Sequence, residues 1–226
     1  MKHLVVLSGA GISAESGIKT FRDANGLWEG HDVMEVATPE GFDHNPNLVL
    51  EFYNQRRRQL LEAKPNSAHF DLAELEQHYR VSIITQNVDD LHERAGSTNV
   101  YHLHGELLKS RSSNGSSYIE TCLTDINLGD TTPDGFQKRP HIVWFGEDVP
   151  MMDEAIALCE TADILLIIGT SLQVYPAAGL MHYAPSSAVT YYIDPKPNIA
   201  GNSNINVITQ NATEGMKTLQ TQLLKN

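Results

Sequence analysis

Two cysteines, Cys122 and Cys159, are all that this chain of 226 residues contains. They stand far apart, so neither a disulfide framework nor a four-cysteine zinc site can be built from this chain alone. Basic residues are also scarce: 16 Lys and Arg face 28 Asp and Glu, a formal net charge of −12. That balance speaks against non-specific binding to nucleic acid or to an anionic membrane, and it suits basic partners such as lysine-bearing segments. Long apolar runs are missing too. The first, Leu4–Leu7, is too short for the core of a signal peptide. Nothing approaches the ~20 apolar residues of a membrane span. A soluble, cytoplasmic, monomeric protein is the expectation. What is present is ordinary for a globular chain: 41% hydrophobic and 19% charged residues, enough for one large domain over 1–226 with a full core.

The pattern along the chain alternates strands with helices. His3–Ser8, Val81–Thr85, Ile164–Ile168, Val189–Ile193 and Ile205–Ile208 are short, apolar and rich in β-branched residues. Between them Pro46–Glu62, Ser67–Tyr79, Met151–Thr161 and Thr213–Lys225 carry helical spacing. Apolar strands separated by helices, without hairpin signals, predict an α/β fold: a Rossmann-like parallel sheet with helices on both faces. The stretch 26–66 reads as a helical and loop insert. Lys109–Arg139, rich in Ser, Asn, Gly, Asp and Thr, reads as a small module inserted in the main domain.

Strand His3–Ser8 runs into GAGISA, a G-x-G-x-x-A turn whose glycines suit a tight turn and close approach of backbone to a phosphate. Such a turn also serves simply to link strand and helix. The acidic residue that closes a second strand about 20 residues on is missing from this pattern; Asp194, after Val189–Ile193, is the later acid. Ligands in open α/β sheets bind at the carboxyl ends of strands. Gly9, Asn87, Gly169 and Asp194 all follow strands and could line one crevice. In YHLHGE, His102 and His104 would share a face if both lay on a strand. Imidazole suits proton transfer near neutral pH, but the pattern does not choose between the two, nor between a catalytic and a structural role. YNQRRRQ, Tyr53–Gln59, concentrates positive charge in an acidic chain. It reads either as a solvated helix face or as a pocket for an anionic group. Tyr53 and Arg56, three apart, project from neighbouring helix positions, whereas Arg57 and Arg58 point elsewhere and read as solvated.

GAGISAESGIKTFRD, TQNVD, HLHGE, VWFGE and GTSLQVYPAA resemble, in order and spacing, the motifs of the sirtuins, NAD-dependent protein-lysine deacylases. The stretch Gly26–Phe42 with Tyr53-x-x-Arg56 is most similar to the bacterial and mitochondrial class that removes acidic acyl groups. The resemblance implies NAD as cofactor and acylated lysine peptides or proteins as partners. It implies that the first motif holds NAD through Gly9, Ala10, Gly11, Ile12, Ser13, Ala14, Glu15, Ser16 and Gly17, with Phe21, Arg22 and Trp28. Gln86, Asn87, Val88 and Asp89 would line the nicotinamide and ribose pocket, and Gly169, Thr170, Ser171, Asp194 and Ala212 the phosphate and adenine side. His104 matches the family's general base, with Asn87 and Asp89 beside it. Val143, Trp144, Phe145 and Gly146 would pair with the substrate backbone as an added strand. In the family reaction the acyl oxygen attacks the nicotinamide ribose and nicotinamide leaves. His104 then assists a ribose hydroxyl. The products are free lysine, nicotinamide and O-acyl-ADP-ribose. Tyr53 and Arg56 would close the acyl pocket, so succinyl- and malonyl-lysine are expected substrates beside acetyl-lysine.

Two departures from the family stand out. Lys19 replaces a proline of the first motif, which implies a more mobile cofactor loop. RSSNGSS, Arg111–Ser117, and TPDGFQKRP, Thr132–Pro140, stand where most sirtuins carry two cysteine pairs around a structural zinc, so no metal is expected. A non-catalytic binder of NAD or ADP-ribose and a protein ADP-ribosyltransferase are the alternatives; the joint presence of His104, Asn87 and Asp89 favours the deacylase.

Overall fold

The computed structural model describes residues 1–19, 27–28, 30–197 and 204–224; Phe21 and Arg22 lie outside the described residues. Along the chain, β1 (His3–Ser8) leads into two short 3-10 turns, Ala10–Ile12 and Ala14–Ser16. A small hairpin, β2 (Leu27–Trp28) and β3 (His31–Asp32), opens the helices α1 (Val33–Val36), α2 (Pro39–His44), α3 (Pro46–Glu62) and α4 (Ser67–Leu75). Then follow β4 (Arg80–Thr85), α5 (Leu91–Arg94), β5 (Val100–His102), β6 (Gly105–Ser112), β7 (Ile119–Thr121) and β8 (Lys138–Ile142). The chain continues through α6 (Met152–Glu160), β9 (Ile164–Ile168), a 3-10 stretch Ala177–Tyr183, β10 (Val189–Ile193), β11 (Ile205–Ile208) and α7 (Ala212–Leu223).

Six strands form one parallel sheet in the order β11-β10-β9-β1-β4-β5. The central strands β9, β1 and β4 are buried on both faces, which is why they read as unbroken apolar runs, whereas β10, β11 and β5 are only partly buried. Successive residues of β1 show the division. Leu4 and Val6 pack with Leu72 and Leu75 of α4 and Met216 and Leu219 of α7. Val5 and Leu7 face the other way, onto Ala155 and Cys159 of α6 and Leu180. The five expected strands are present; β5 joins them as a sixth, three residues long and too short to show a pattern.

A second, antiparallel sheet, β7-β6-β8, carries the small module. It shares a third core with α3, in which Val49, Phe52, Tyr53 and Leu60 meet Leu107, Ile142 and Trp144. Arg57 corrects the sequence reading, because it is 1% exposed rather than solvated. Its Nε donates to the Leu107 carbonyl (3.1 Å) and its Nη1 to Asn54 Oδ1 (2.8 Å). Leu50, Tyr53, Asn54, Arg57 and Leu60 form one buried stripe at helical spacing, and Arg57 falls on it. Arg58 lies half exposed between Glu51 and Asp125, as expected of a surface charge.

Candidate active site

Strand ends of the parallel sheet converge on one rim. β1 delivers Gly9, β4 delivers Gln86 and Asn87, β5 delivers Leu103 and His104, β9 delivers Gly169 and Thr170, and β10 delivers Asp194. The glycines at this rim have a packing reason of their own. Gly11 donates to the Gly169 carbonyl at 2.7 Å, and Gly9 to that of Ile168 at 3.0 Å. A Cβ on Gly11 would stand 2.6 Å from Gly169 Cα, and one on Gly169, where φ is +63°, 2.3 Å from the Ile12 nitrogen. The two loops press backbone against backbone, which only glycine permits. Ala10 and Ile12 form the first 3-10 turn, and Ala14, Glu15 and Ser16 the second, which Gly17 closes in the left-handed region. Glu15 then takes hydrogen bonds from the Thr213 amide (3.0 Å) and hydroxyl (2.8 Å), placing Ala212 and the start of α7 against this turn.

A buried polar cluster sits beneath the rim. Ser13 Oγ donates to Asp89 Oδ2 (2.9 Å) and accepts from Asn87 Nδ2 (3.1 Å). Burial pushes the Asp89 carboxyl up to about 6, against the pull of hydrogen bonds from the Leu91 amide and Ser13. Gln86 Nε2 donates to Thr170 Oγ1 at 3.1 Å, linking the strand ends of β4 and β9. Ser171 follows, half-buried, and Asp194, 2% exposed, accepts from the Lys196 amide at 2.8 Å. The sequence reading missed two members. His69, fully buried, lies 3.5 Å from Ser13 Oγ, and burial lowers its pKa to about 4. Asn66 caps α4 and reaches the Ile12 carbonyl (2.8 Å) and Ser16 Oγ (3.0 Å). The signal was Asn66-x-x-His69, a capping box with histidine where Glu or Gln is customary.

The two histidines of YHLHGE part company. His102 ends β5, whereas His104 lies beyond it in the bend before Gly105, so they do not share a strand face. His102 Nδ1 donates to the Asn87 carbonyl (3.0 Å) and Nε2 pairs with Glu93 (2.7 Å). Burial lowers its pKa, but the hydrogen bond and charge of Glu93 outweigh burial and raise it. His104 Nδ1 lies 3.1 Å from the Gln86 carbonyl, and Nε2 has no hydrogen-bond partner among the described residues. Burial lowers its pKa, opposed by the Gln86 carbonyl. The first histidine has both nitrogens bonded and a raised pKa; the second has a lowered pKa and, among the described residues, an open nitrogen.

Next to Asp89 opens a cavity of about 60 Å³, walled by Tyr53, Arg56, Leu60, Val88, Leu107 and Trp28, with Ile18, Lys19 and Gln59 at its edge. The Arg56 guanidinium lies 3.5 Å from the Phe52 ring centre and 5.8 Å from that of Trp28, and donates to the Phe52 carbonyl. Tyr53 is 1% exposed; its hydroxyl oxygen accepts from Trp144 Nε1 at 3.0 Å. In the VWFGE stretch the amides of Val143, Trp144 and Phe145 bond to His104 O, Glu147 Oε2 and Ala37 O. Gly146 is the amide of this stretch with no bond to a described residue.

Residues 9–176 match the Sir2 family. A Helicobacter pylori protein named NAD-dependent protein deacylase is 60% identical over 226 residues, covering 100% of this chain and 97% of its own. One of the same name from Bacteroides thetaiotaomicron is 55% identical, covering 99% of each. Among solved structures, a Sir2 homolog–NAD complex superposes with a TM-score of 0.89 at 38% identity, over 99% of this chain and 90% of that one. A Sir2–p53 peptide–NAD+ complex gives 0.82 at 28% identity, over 100% and 94%.

Proposed function

The chain belongs to the Sir2 family and is an NAD-dependent protein deacylase, and on that premise we propose that it favours acidic acyl groups, succinyl or malonyl, over acetyl on lysine side chains. The cavity beside Asp89 carries this reading. Its apolar wall, which includes Leu60, Val88 and Leu107, also carries the Tyr53 phenol and the Arg56 guanidinium, with Lys19, Gln59 and Asp89 lining the same space. A carboxylate in such a cavity is costly without partners. Guanidinium offers two parallel hydrogen bonds and the phenol a third.

The rim fits NAD. Its polar groups, the side-chain amides of Gln86 and Asn87, the hydroxyls of Ser13 and Thr170 and the accepting carboxyl oxygens of Asp89, suit ribose hydroxyls and a carboxamide. Bound NAD supplies an electrophilic ribose carbon from which nicotinamide departs. Asn87, Asp89 and Ser13 are buried and orient one another through hydrogen bonds. His104, its Nδ1–H donated to the Gln86 carbonyl, keeps Nε2 unprotonated to take a proton from a hydroxyl, the role of a general base. The experiment compares kcat/KM on succinyl- and acetyl-lysine peptides for wild type and Arg56→Met. The expected loss on the succinyl peptide is about 2–4 kcal/mol, as for a broken buried charge pair, with a much smaller loss on the acetyl peptide. Equal losses on both would defeat the reading.

A further inference from the structure

Tyr53 is buried, yet its hydroxyl is only half used. The oxygen accepts from Trp144 Nε1 at 3.0 Å, and the O–H hydrogen has no acceptor among the described residues. Burial raises the phenol pKa, so the group stays neutral and keeps that hydrogen. A phenolic O–H prefers the plane of its ring, with two positions open to it. The indole N–H occupies one side of the oxygen and leaves the hydrogen the other. Tyr53 lines the cavity, and Trp144, 2% exposed and not part of the lining, packs against it with ring centres 6.4 Å apart.

Trp144 is itself clamped. Its backbone amide donates to Glu147 Oε2 at 2.8 Å. Glu147 takes two bonds from Arg139, at 2.8 and 2.9 Å. The Arg139 guanidinium lies 3.4 Å from the Trp144 ring centre. A cation against the indole face draws electron density from the ring and makes the N–H a better donor. Arg139 belongs to β8, in the small module, so the module reaches the cavity through one indole.

We propose that Trp144 is a positioning residue for acyl specificity: by donating to the Tyr53 oxygen it turns the phenol hydrogen into the acyl cavity, where it meets the distal carboxylate of an acidic acyl-lysine. This rests on the acidic-acyl reading above, and it adds that specificity is set one residue behind the cavity wall. No acetyl group can use that hydrogen, because acetyl ends in a methyl.

The test measures kcat/KM for succinyl- and acetyl-lysine peptides in wild type, Trp144→Phe, Tyr53→Phe, the double variant and Arg56→Met. Trp144→Phe is expected to lower the succinyl-to-acetyl ratio by roughly five- to tenfold, and to leave the ratio unchanged in the Tyr53→Phe background. An equal loss on both peptides, or the same drop without the phenol, overturns the proposal. An Arg56→Met ratio equal to wild type would instead sink the acidic-acyl reading beneath it, and the proposal with it. A second readout does not need the Trp144 variant to fold. The chain has two indole N–H groups, those of Trp28 and Trp144. In 15N-labelled protein Tyr53→Phe should move the Trp144 signal upfield, and succinyl-lysine peptide should move it downfield in wild type. An unmoved Trp144 signal in Tyr53→Phe overturns the hydrogen bond and the proposal.

Discussion

A carbonyl oxygen can only accept, so the Gln86 carbonyl decides which nitrogen of His104 carries the proton. This separates two histidines that the sequence could not, because the difference lies in their partners rather than in their spacing. His102 spends both nitrogens, on Asn87 and Glu93, and holds the loop that carries Asn87. His104→Ala is expected to cut turnover by about 10²-fold or more, the scale of a lost acid–base group, with folding intact by circular dichroism. Near-normal turnover in a folded variant would remove His104 from the role. The pH dependence follows from the same burial. The imidazole works only when unprotonated, and its pKa lies below the ordinary 6.5. Activity is therefore full above that value and falls as pH drops through the lowered pKa. Asp89, pushed up to about 6, takes up its proton as pH falls through that value. The acid limb of kcat/KM for NAD should therefore begin near Asp89's titration and deepen where His104 protonates, and a flat profile down to pH 5 would contradict the Asp89 assignment.

Helix α3 is the element that joins the parts. One side carries Tyr53 and Arg56 to the cavity, Gln59 reaches the Gly17 carbonyl at 3.0 Å, and Asn54 and Arg57 hold the module. Asn54 both donates to the Ile126 carbonyl (3.0 Å) and accepts from its amide (2.9 Å). Arg57 is a buried cation with no carboxylate within ion-pair distance among the described residues. Burial lowers its pKa, and its Nη2 has no hydrogen-bond partner among the described residues. Truncation and replacement then differ. Arg57→Ala opens a cavity and strands the Leu107 carbonyl, and should cost about 3 kcal/mol in urea unfolding. Arg57→Met keeps the volume and removes a poorly compensated charge, and should cost no more than about 1 kcal/mol. Equal losses would mean that the charge itself holds the module. The sequence displayed α3 and its Pro46 start plainly, yet its charge hid Arg57's place on the buried stripe. Periodicity outweighed residue type there. The centre of the sheet was legible because β9, β1 and β4 are covered on both faces, leaving apolar runs typical of buried strands. β5 was not, because three residues carry no period. The rim glycines were legible as a motif, but their reason, one loop pressed on another 160 residues away, is a tertiary fact that local pattern does not contain.

At the scale of the whole molecule the question is what holds a module that lacks paired cysteines. The two segments that stand in their place, Arg111–Ser117 and Thr132–Pro140, meet at a carboxylate. Asp134 accepts from the hydroxyls of Thr132, Ser112 (3.2 Å) and Ser116 (2.9 Å) and from the Phe136 amide (3.5 Å). Hydrogen bonds, Thr132 foremost, hold its carboxyl down at about 2. A folded pKa depressed below 3.8 stabilises the folded chain above that pH, and the contribution fades as pH falls toward 2. Among the described residues no group of three or more His, Cys, Asp and Glu is placed to hold a metal. The module also leans on the main body, through Arg57 to Leu107 and through Arg139 and Glu147 to Trp144. We propose that the hydroxyl-carboxylate cluster and these anchors hold the module without a metal to supply folding energy. An excess of a zinc chelator should leave the melting temperature and deacylation unchanged, and elemental analysis should find less than a tenth of a zinc per chain, roughly background for a structural site. Asp134→Ala should speed amide exchange in residues 112–116 and 132–136 by about tenfold while exchange in β1, β4 and β9 stays as in wild type. Stoichiometric zinc, or unfolding on chelation, would show that a metal and not this carboxylate holds the module. Uniform acceleration across the parallel sheet would show that the module and the main domain open as one unit.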